Sequence, residues 1–284
     1  MNAKQAYKKF LLKAQTIYSL NEAAVITDWV FESIANIKKQ DFIKNPEQEI
    51  SKSTSEELNK ALIQVIDHKP IQYILGEGWF YNMKLKVNEN VLIPRPETEE
   101  LVEWIVTTAT HQAPAITILD IGTGSGCISI ALKKQMHAAN ITAIDVSKGA
   151  LDVAAENALT HKTQIQFLEF DFLNESNWKN LPQFDMIVSN PPYIPIKEKD
   201  GLDKNVTDYE PHTALFVPDN EPLLFYKKIA GFGKEHLNYN GKIFVETHVD
   251  YAEQTLELFK ASNYNYVDLK KDMYGRDRMI MARL

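Results

Sequence analysis

Apolar positions recur at three- and four-residue spacing from the start of the chain. Ala3, Ala6, Tyr7, Phe10, Leu11, Ala14, Ile17 and Tyr18 fall on one face of a helix. Asn21 offers an N-cap for a second helix with Val25, Ile26, Trp29 and Val30 inward. A mostly polar segment, Asn36 to Ser53 with Pro46 inside it, follows. Thr54 and Glu57 have the spacing of a capping box for a third helix that buries Leu58, Leu62, Val65 and Ile66. Residues 1–69 therefore read as a small helical bundle. From Pro70 the pattern becomes aromatic and β-branched. Residues 70–95 are predicted to be a linking β-hairpin, with Asn88 to Asn90 as the turn between its arms.

Beyond it, short apolar runs alternate with helical periods. Strands are expected at Ile116–Ile121, Ile141–Asp145, Gln164–Phe170, Phe184–Asn190, Lys242–Glu246, Tyr264–Leu269 and Met279–Leu284. Helices are expected at Glu97–Thr107, Gly126–Gln135, Lys148–Ala158, Leu223–Leu237 and Asp250–Ala261. This alternation predicts an α/β domain over 96–284: a doubly wound, mostly parallel sheet with helices on both faces. Such sheets bind ligands beyond the carboxyl ends of their strands, so the residues just after each strand carry the candidate chemistry.

Composition narrows the class. With 284 residues and 44% hydrophobic content, the chain can bury one large core and a smaller module. No apolar run approaches the roughly 20 residues needed to span a bilayer. Met1 to Phe10 is polar and lacks the apolar stretch of a secretory signal, so a cytoplasmic protein without membrane contact is expected. A single cysteine, Cys127, excludes an internal disulfide and disfavours structural zinc; no metal is expected. The net charge of −7 leans against stable nucleic-acid binding, which usually shows a basic footprint.

The first sheet strand runs into Asp120-Ile121-Gly122-Thr123-Gly124-Ser125-Gly126. A glycine-rich turn between strand and helix lets a ligand approach backbone N–H groups. The dinucleotide fingerprint requires glycine at its sixth position, which here is Cys127. Glycines at the first, third and fifth positions behind an acidic residue resemble instead motif I of class I methyltransferases. Asp145 ends the second strand, where a carboxylate can accept from both ribose hydroxyls of a nucleoside or cap the helix beginning near Ser147. Asp171 and Phe172 follow the third strand. They suit an adenine amino group and its ring, or loop solvation and core packing respectively.

The fourth strand ends in Asn190-Pro191-Pro192-Tyr193. Consecutive prolines fix two φ angles and remove two backbone donors, so the backbone there offers acceptors only. Asn190 adds a side-chain oxygen and Tyr193 an aromatic face. A conjugated NH2 is a poor nucleophile because its lone pair is delocalised. Acceptors at the Asn190 side chain and the Pro191 carbonyl can hold both N–H bonds and bias the nitrogen towards tetrahedral geometry. Tyr193 can stack on the planar group. Transfer from a sulfonium needs little acid–base chemistry, so positioning and electrostatics dominate.

With these motifs the chain resembles the protein-(glutamine-N5) methyltransferases that modify class I peptide chain release factors. Ile93-Pro94-Arg95-Pro96-Glu97-Thr98-Glu99, the glycine turn and Ile187 to Ile194 carry the resemblance. Tyr209-Glu210-Pro211 with Ala214-Leu215, and Gly275 to Arg278, extend it over essentially the whole chain. It implies a class I, Rossmann-like methyltransferase fold and methylation of the glutamine in a Gly-Gly-Gln loop. The cofactor would be S-adenosyl-L-methionine, leaving as S-adenosyl-L-homocysteine. By position, Asp120, Gly122, Thr123, Gly124, Ser125, Gly126, Asp145, Asp171, Phe172 and Asn190 would bind it. Asn190, Pro191, Pro192 and Tyr193 would hold the glutamine amide, with Asn190, Pro191 and Tyr193 as the catalytic set. Arg95 and Glu97 would join the substrate site or simply form a hairpin-to-helix junction. The stretch Phe216 to Pro222 departs from the family's glycine-rich pattern, and the long connection from Ile194 to Pro222 reads as a lid or binding element. The N-terminal helices would recognise the protein substrate. Adenine-N6 DNA methyltransferases share an Asn/Asp-Pro-Pro-aromatic motif, and a glutamine methyltransferase of a ribosomal protein shares the chemistry; both alternatives stay open, as does a non-catalytic adaptor. Cys127 is expected to be small, buried and without a catalytic part.

Overall fold

The computed structural model of the chain describes residues 2–45, 47–109 and 115–284. Met1, and Pro46 of the predicted polar connection, lie outside these. The chain divides into two compact units, Met1–Glu77 with Asp203–Tyr209, and Gly78–Leu202 with Glu210–Leu284.

The first unit is helical. Helix α1 (Ala3–Ala14) is capped by Asn2, whose side chain accepts from the Lys4 and Gln5 amides. Helix α2 (Leu20–Ala35) is capped two residues before the predicted Asn21, by Ser19, whose hydroxyl accepts from the Glu22 amide. Its buried stripe is Ala23, Ile26, Thr27, Val30 and Phe31. Val25, expected inward, is 61% exposed, since it lies off the i, i+4 row that those residues share. The predicted polar connection holds a single turn, α3 (Asp41–Lys44). In α4 (Lys52–Ile66) the cap is Ser51, which accepts from the Thr54 amide at 3.0 Å. Thr54 is thus the third helical residue, not the cap. A short α5 (Ile71–Leu75) ends at Gly76 in the left-handed conformation. Phe10, Phe31, Leu58 and Val65 form the heart of this unit's core, with Tyr7 edge-on to Phe31 at 5.2 Å.

The β-hairpin is present but its turn is elsewhere than expected. Strands β1 (Glu77–Phe80) and β2 (Met83–Lys86) flank Tyr81 and Asn82, which have φ of 49° and 59°. Two consecutive left-handed residues give the loop whose twist matches antiparallel strands. Asn88 to Asn90 instead form a separate turn, with the Asn88 side chain accepting from the Asn90 amide.

After α6 (Pro96–Ala109) comes a seven-stranded sheet in the order β10-β11-β9-β6-β3-β4-β5. Its elements are, in chain order, β3 (Thr117–Ile121), α7 (Cys127–Gln135), β4 (Asn140–Asp145), α8 (Lys148–Thr160), β5 (Gln166–Glu169) and β6 (Phe184–Ser189). The long connection then carries β7 (Ile194–Pro195), α9 (Lys204–Thr207), α10 (His212–Leu215) and β8 (Phe216–Val217), with β7 parallel to β8. Then follow α11 (Leu224–His236), β9 (Leu237–Glu246), α12 (Ala252–Ala261), β10 (Tyr266–Lys271) and β11 (Asp277–Arg283). Strands β3, β4, β5, β6 and β9 pair in parallel, and β11 runs antiparallel to both neighbours. Two apolar layers cover the two faces of the sheet. One is centred on Leu119, Ile187 and Phe232, the other on Ile118, Val188 and Leu101, as the period-2 alternation of neighbouring strand residues requires. Among the described residues no helix is long and apolar enough to cross a membrane.

Candidate active site

Strand β3 is the switch point, with β4 on one side and β6 on the other, so the chain leaves the sheet in opposite directions there and opens a crevice. A cavity of about 430 Å³ lies at these carboxyl ends, within the range of small-ligand sites. Of the sequence-derived residues, Gly122, Gly124, Asp145, Asp171, Phe172, Asn190, Pro191 and Pro192 line it. Asp120, Thr123, Ser125, Gly126, Tyr193, Arg95 and Glu97 are not in its wall.

The residues behind the wall have other duties. Asp120 is fully buried and its Oδ2 accepts from the Thr123 and Ser129 hydroxyls, both at 2.7 Å. Oδ1 has no hydrogen-bond partner among the described residues. Burial therefore pushes the Asp120 carboxyl up to about 6, against the pull of those two hydroxyls. Asp120 braces the glycine turn from beneath. Gly126 heads α7 at φ 79°, and a Cβ there would stand 3.1 Å from that of Ala154. The buried Asn157 of α8 donates to the Ser125 carbonyl at 3.0 Å and exchanges two hydrogen bonds with the Lys86 backbone. Cys127 is half-buried rather than fully buried. Burial lifts its thiol to about 12, which leaves no thiolate for nucleophilic work at neutral pH.

At the wall itself, Gly124 has φ 56°, and a Cβ placed there would meet nothing within 4 Å. Its amide donates to Asp145 Oδ2 at 2.9 Å, while Asp145 Oδ1 accepts from the Ser147 amide at 2.9 Å. Ser147 itself caps α8. The Asp145 carboxylate is thus fixed by two amides, with lone pairs remaining on each oxygen for a ligand. Asp171 accepts from the Leu173 amide at 3.0 Å. Phe172 both lines the cavity and packs into the core, stacked on Trp178 at 5.5 Å. Pro211, Thr213 and Phe216 bring the long connection to the same cavity.

Asn190 follows β6. Its Nδ2 donates to Thr98 Oγ1 at 3.0 Å, and that hydroxyl donates to Glu246 Oε2 at 2.6 Å. The Tyr193 hydroxyl donates to Glu246 Oε1 at 3.1 Å, and the ring is edge-on to His248 at 5.8 Å. Burial raises the Glu246 carboxyl above its ordinary range, opposed by Thr98 and the Arg278 charge. Burial and Glu246 together hold the Tyr193 hydroxyl protonated. Arg95 pairs with Glu210 at 2.6 Å, and Glu210 also accepts from the Ile93 amide. Glu97 stands in the first turn of α6, where the helix dipole favours a carboxylate. Thr98, Glu246 and Asn157 escaped the sequence reading. Glu246 could have been found, since it ends a predicted strand, and Thr98 lies within the segment 93–99 already singled out. Among the described residues no three His, Cys, Asp or Glu side chains stand together as a metal-ligand set.

Comparison with known proteins follows the same division. The Methyltransferase small domain profile matches residues 98–208, and the PrmC N-terminal domain profile matches residues 5–76. The chain is 42% identical to a release factor glutamine methyltransferase of Flavobacterium psychrophilum, over 96% of this chain and 95% of that one. It is 36% identical to the protein of the same description from Bacteroides thetaiotaomicron, over 99% of both chains. Its fold resembles that of a methyltransferase from Pyrococcus furiosus with a TM-score of 0.50, at 17% identity over 72% of this chain and 89% of that one.

Proposed function

The chain belongs to the release factor glutamine methyltransferase family, and on that footing we propose that it methylates the side-chain amide nitrogen (N5) of the glutamine in the Gly-Gly-Gln motif of class I peptide chain release factors, in support of translation termination. We take the methyl donor to be S-adenosylmethionine, acting in the cytoplasm where translation proceeds. The observation that carries the reading is the cavity wall that joins Asp145 and the glycine turn to Asn190, Pro191 and Pro192.

The residues present fit that cofactor. Space opposite Gly122 and Gly124, where a Cβ would meet nothing, admits a ligand against their backbone. Asp145, immobilised by two amides, can accept from a vicinal diol. Asp171 can accept from an exocyclic amine beside the Phe172 ring. When bound there, the cofactor supplies an electrophilic methyl group on a sulfonium that loses its charge on transfer.

The chain's own part is to present the nucleophile. Asn190 Oδ1 and the Pro191 carbonyl accept the two N–H bonds of the substrate amide and stabilise positive charge as it develops on nitrogen. The two prolines hold those acceptors rigidly, which keeps the nitrogen in line and limits the entropic part of the barrier. Tyr193, tied to Glu246, stiffens the end of the motif. The N-terminal helical unit serves recognition of the protein substrate in this reading. The test is to incubate the enzyme with cofactor and a release factor and map the product by peptide mass spectrometry. A single methyl on the Gly-Gly-Gln glutamine is expected; a methyl on another residue, or none, would contradict the assignment.

A further inference from the structure

The Asn190 side chain has an amide oxygen on one side and an amide nitrogen on the other. Only the oxygen can accept a substrate N–H bond, so its rotation state decides whether the motif works. Hydrogen-bond partners determine that state. Here they form a directed chain. Glu246 ends β9 with 1% of its surface exposed, and both of its carboxyl oxygens accept hydrogen bonds. Its Oε2 takes the single proton of the Thr98 hydroxyl at 2.6 Å. Thr98, 2% exposed, then has only lone pairs left, and Asn190 Nδ2 donates to it at 3.0 Å. The Tyr193 hydroxyl fills Glu246 Oε1. The chain has one polarity, running from Asn190 through Thr98 to the buried Glu246 carboxyl. It leaves Oδ1 as the atom that Asn190 offers to the cavity it lines.

We propose that Thr98 and Glu246 are positioning residues that lock the Asn190 amide with its oxygen presented to the methyl acceptor. This rests on the reading that the acceptor is a conjugated NH2. Thr98 touches neither substrate nor cofactor, so its whole effect passes through Asn190. A flipped amide would confront the substrate N–H bonds with two more donors, and the stabilisation of charge on nitrogen would be lost.

Thr98→Val keeps the shape and removes the hydroxyl. With release factor as substrate its kcat falls on the order of 10- to 100-fold, as expected for a misplaced transition-state acceptor. Binding of S-adenosylhomocysteine stays near wild type. Thr98→Ser, which restores the hydroxyl, recovers turnover. In the Asn190→Ala background, Thr98→Val produces no further loss, because the two act as one unit. A Thr98→Val enzyme with full kcat overturns the inference, as does a loss that multiplies independently with that of Asn190→Ala, or a loss of cofactor binding as large as the loss of turnover. A measurement on the wild-type chain covers the case in which Thr98→Val does not fold. The Asn190 side-chain amide resonance, assigned by its disappearance in Asn190→Ala, should exchange slowly with solvent, and free exchange overturns the lock. Wild-type enzyme that labels no release factor overturns the substrate reading and this inference with it, whereas an active wild type with an equally active Thr98→Val overturns the inference alone.

Discussion

At the scale of single residues, the site separates groups that face the cavity from groups that hold them. Asn190 is of the first kind. Asn190→Ala should lower kcat by about 100- to 1,000-fold, the usual effect of losing one preorganised partner at a transition state; folded variant protein with near-normal turnover would refute its role. Asp120 is of the second kind and makes a prediction about stability. Its carboxyl is raised from 3.8 to about 6 by burial. Well below pH 3.8 both folded and unfolded chains are protonated there. As pH rises to about 6 the unfolded chain ionises first while the folded one keeps its proton, so stability falls through this window. Asp120→Asn cannot titrate. Its Tm, followed between pH 4 and 7, should decline less than that of the wild type, and parallel curves would contradict the raised value. Much of the wall was legible from sequence, because topology sends ligands to strand ends and Gly122, Asp145 and Asn190 sit at three of them. Thr98 and Glu246 were harder to see, since their bond joins residues 148 positions apart and that of Thr98 to Asn190 joins residues 92 apart. Nothing local in a threonine or a glutamate announces such a partner.

At the scale of elements, periodicity found the sheet strands and their intervening helices, and local cap and turn chemistry set the boundaries. Ser51 rather than Thr54 caps α4 because the side chain two or three residues upstream of free amides wins. The hairpin shows the same competition. Asn88 to Asn90 are strong turn formers, yet the reversal occurs at Tyr81-Asn82, where both residues take positive φ. A tyrosine is a weak turn signal. Here it is held by burial of Phe80 and Met83 on either side and by its own hydroxyl bond to Glu103 at 2.5 Å. Asn82 tolerates the left-handed region and a β-branched residue does not. Asn82→Val should destabilise the protein by about 1–2 kcal/mol in denaturant unfolding, and Asn82→Gly should be close to neutral. Equal stability of the two variants would contradict the turn assignment. The length of the connection from Ile194 to Pro222 predicts a lid or binding element, and part of it lines the cavity. Its secondary structure, the β7–β8 pair, a 3-10 helix over Ile196–Gly201 and two single helical turns, leaves no mark in the sequence pattern, since such short pieces carry no period.

At the scale of the whole molecule, the chain joins a helical unit to a catalytic one, and the two should separate in kinetics. Removing residues 1–66 is expected to raise KM for the intact release factor while leaving transfer to a short Gly-Gly-Gln peptide little changed; unchanged kinetics on the full protein would remove the recognition role from the helices. An acidic chain with net charge −7 also predicts weak competition by duplex DNA. The decisive measurement is methyl transfer from labelled S-adenosylmethionine with a class I release factor and duplex DNA offered side by side, each beside its acceptor-blocked form. The account predicts label on the release factor only, abolished when Gly-Gly-Gln becomes Gly-Gly-Ala. Label on DNA, on the Gly-Gly-Ala protein, or on neither substrate would contradict it.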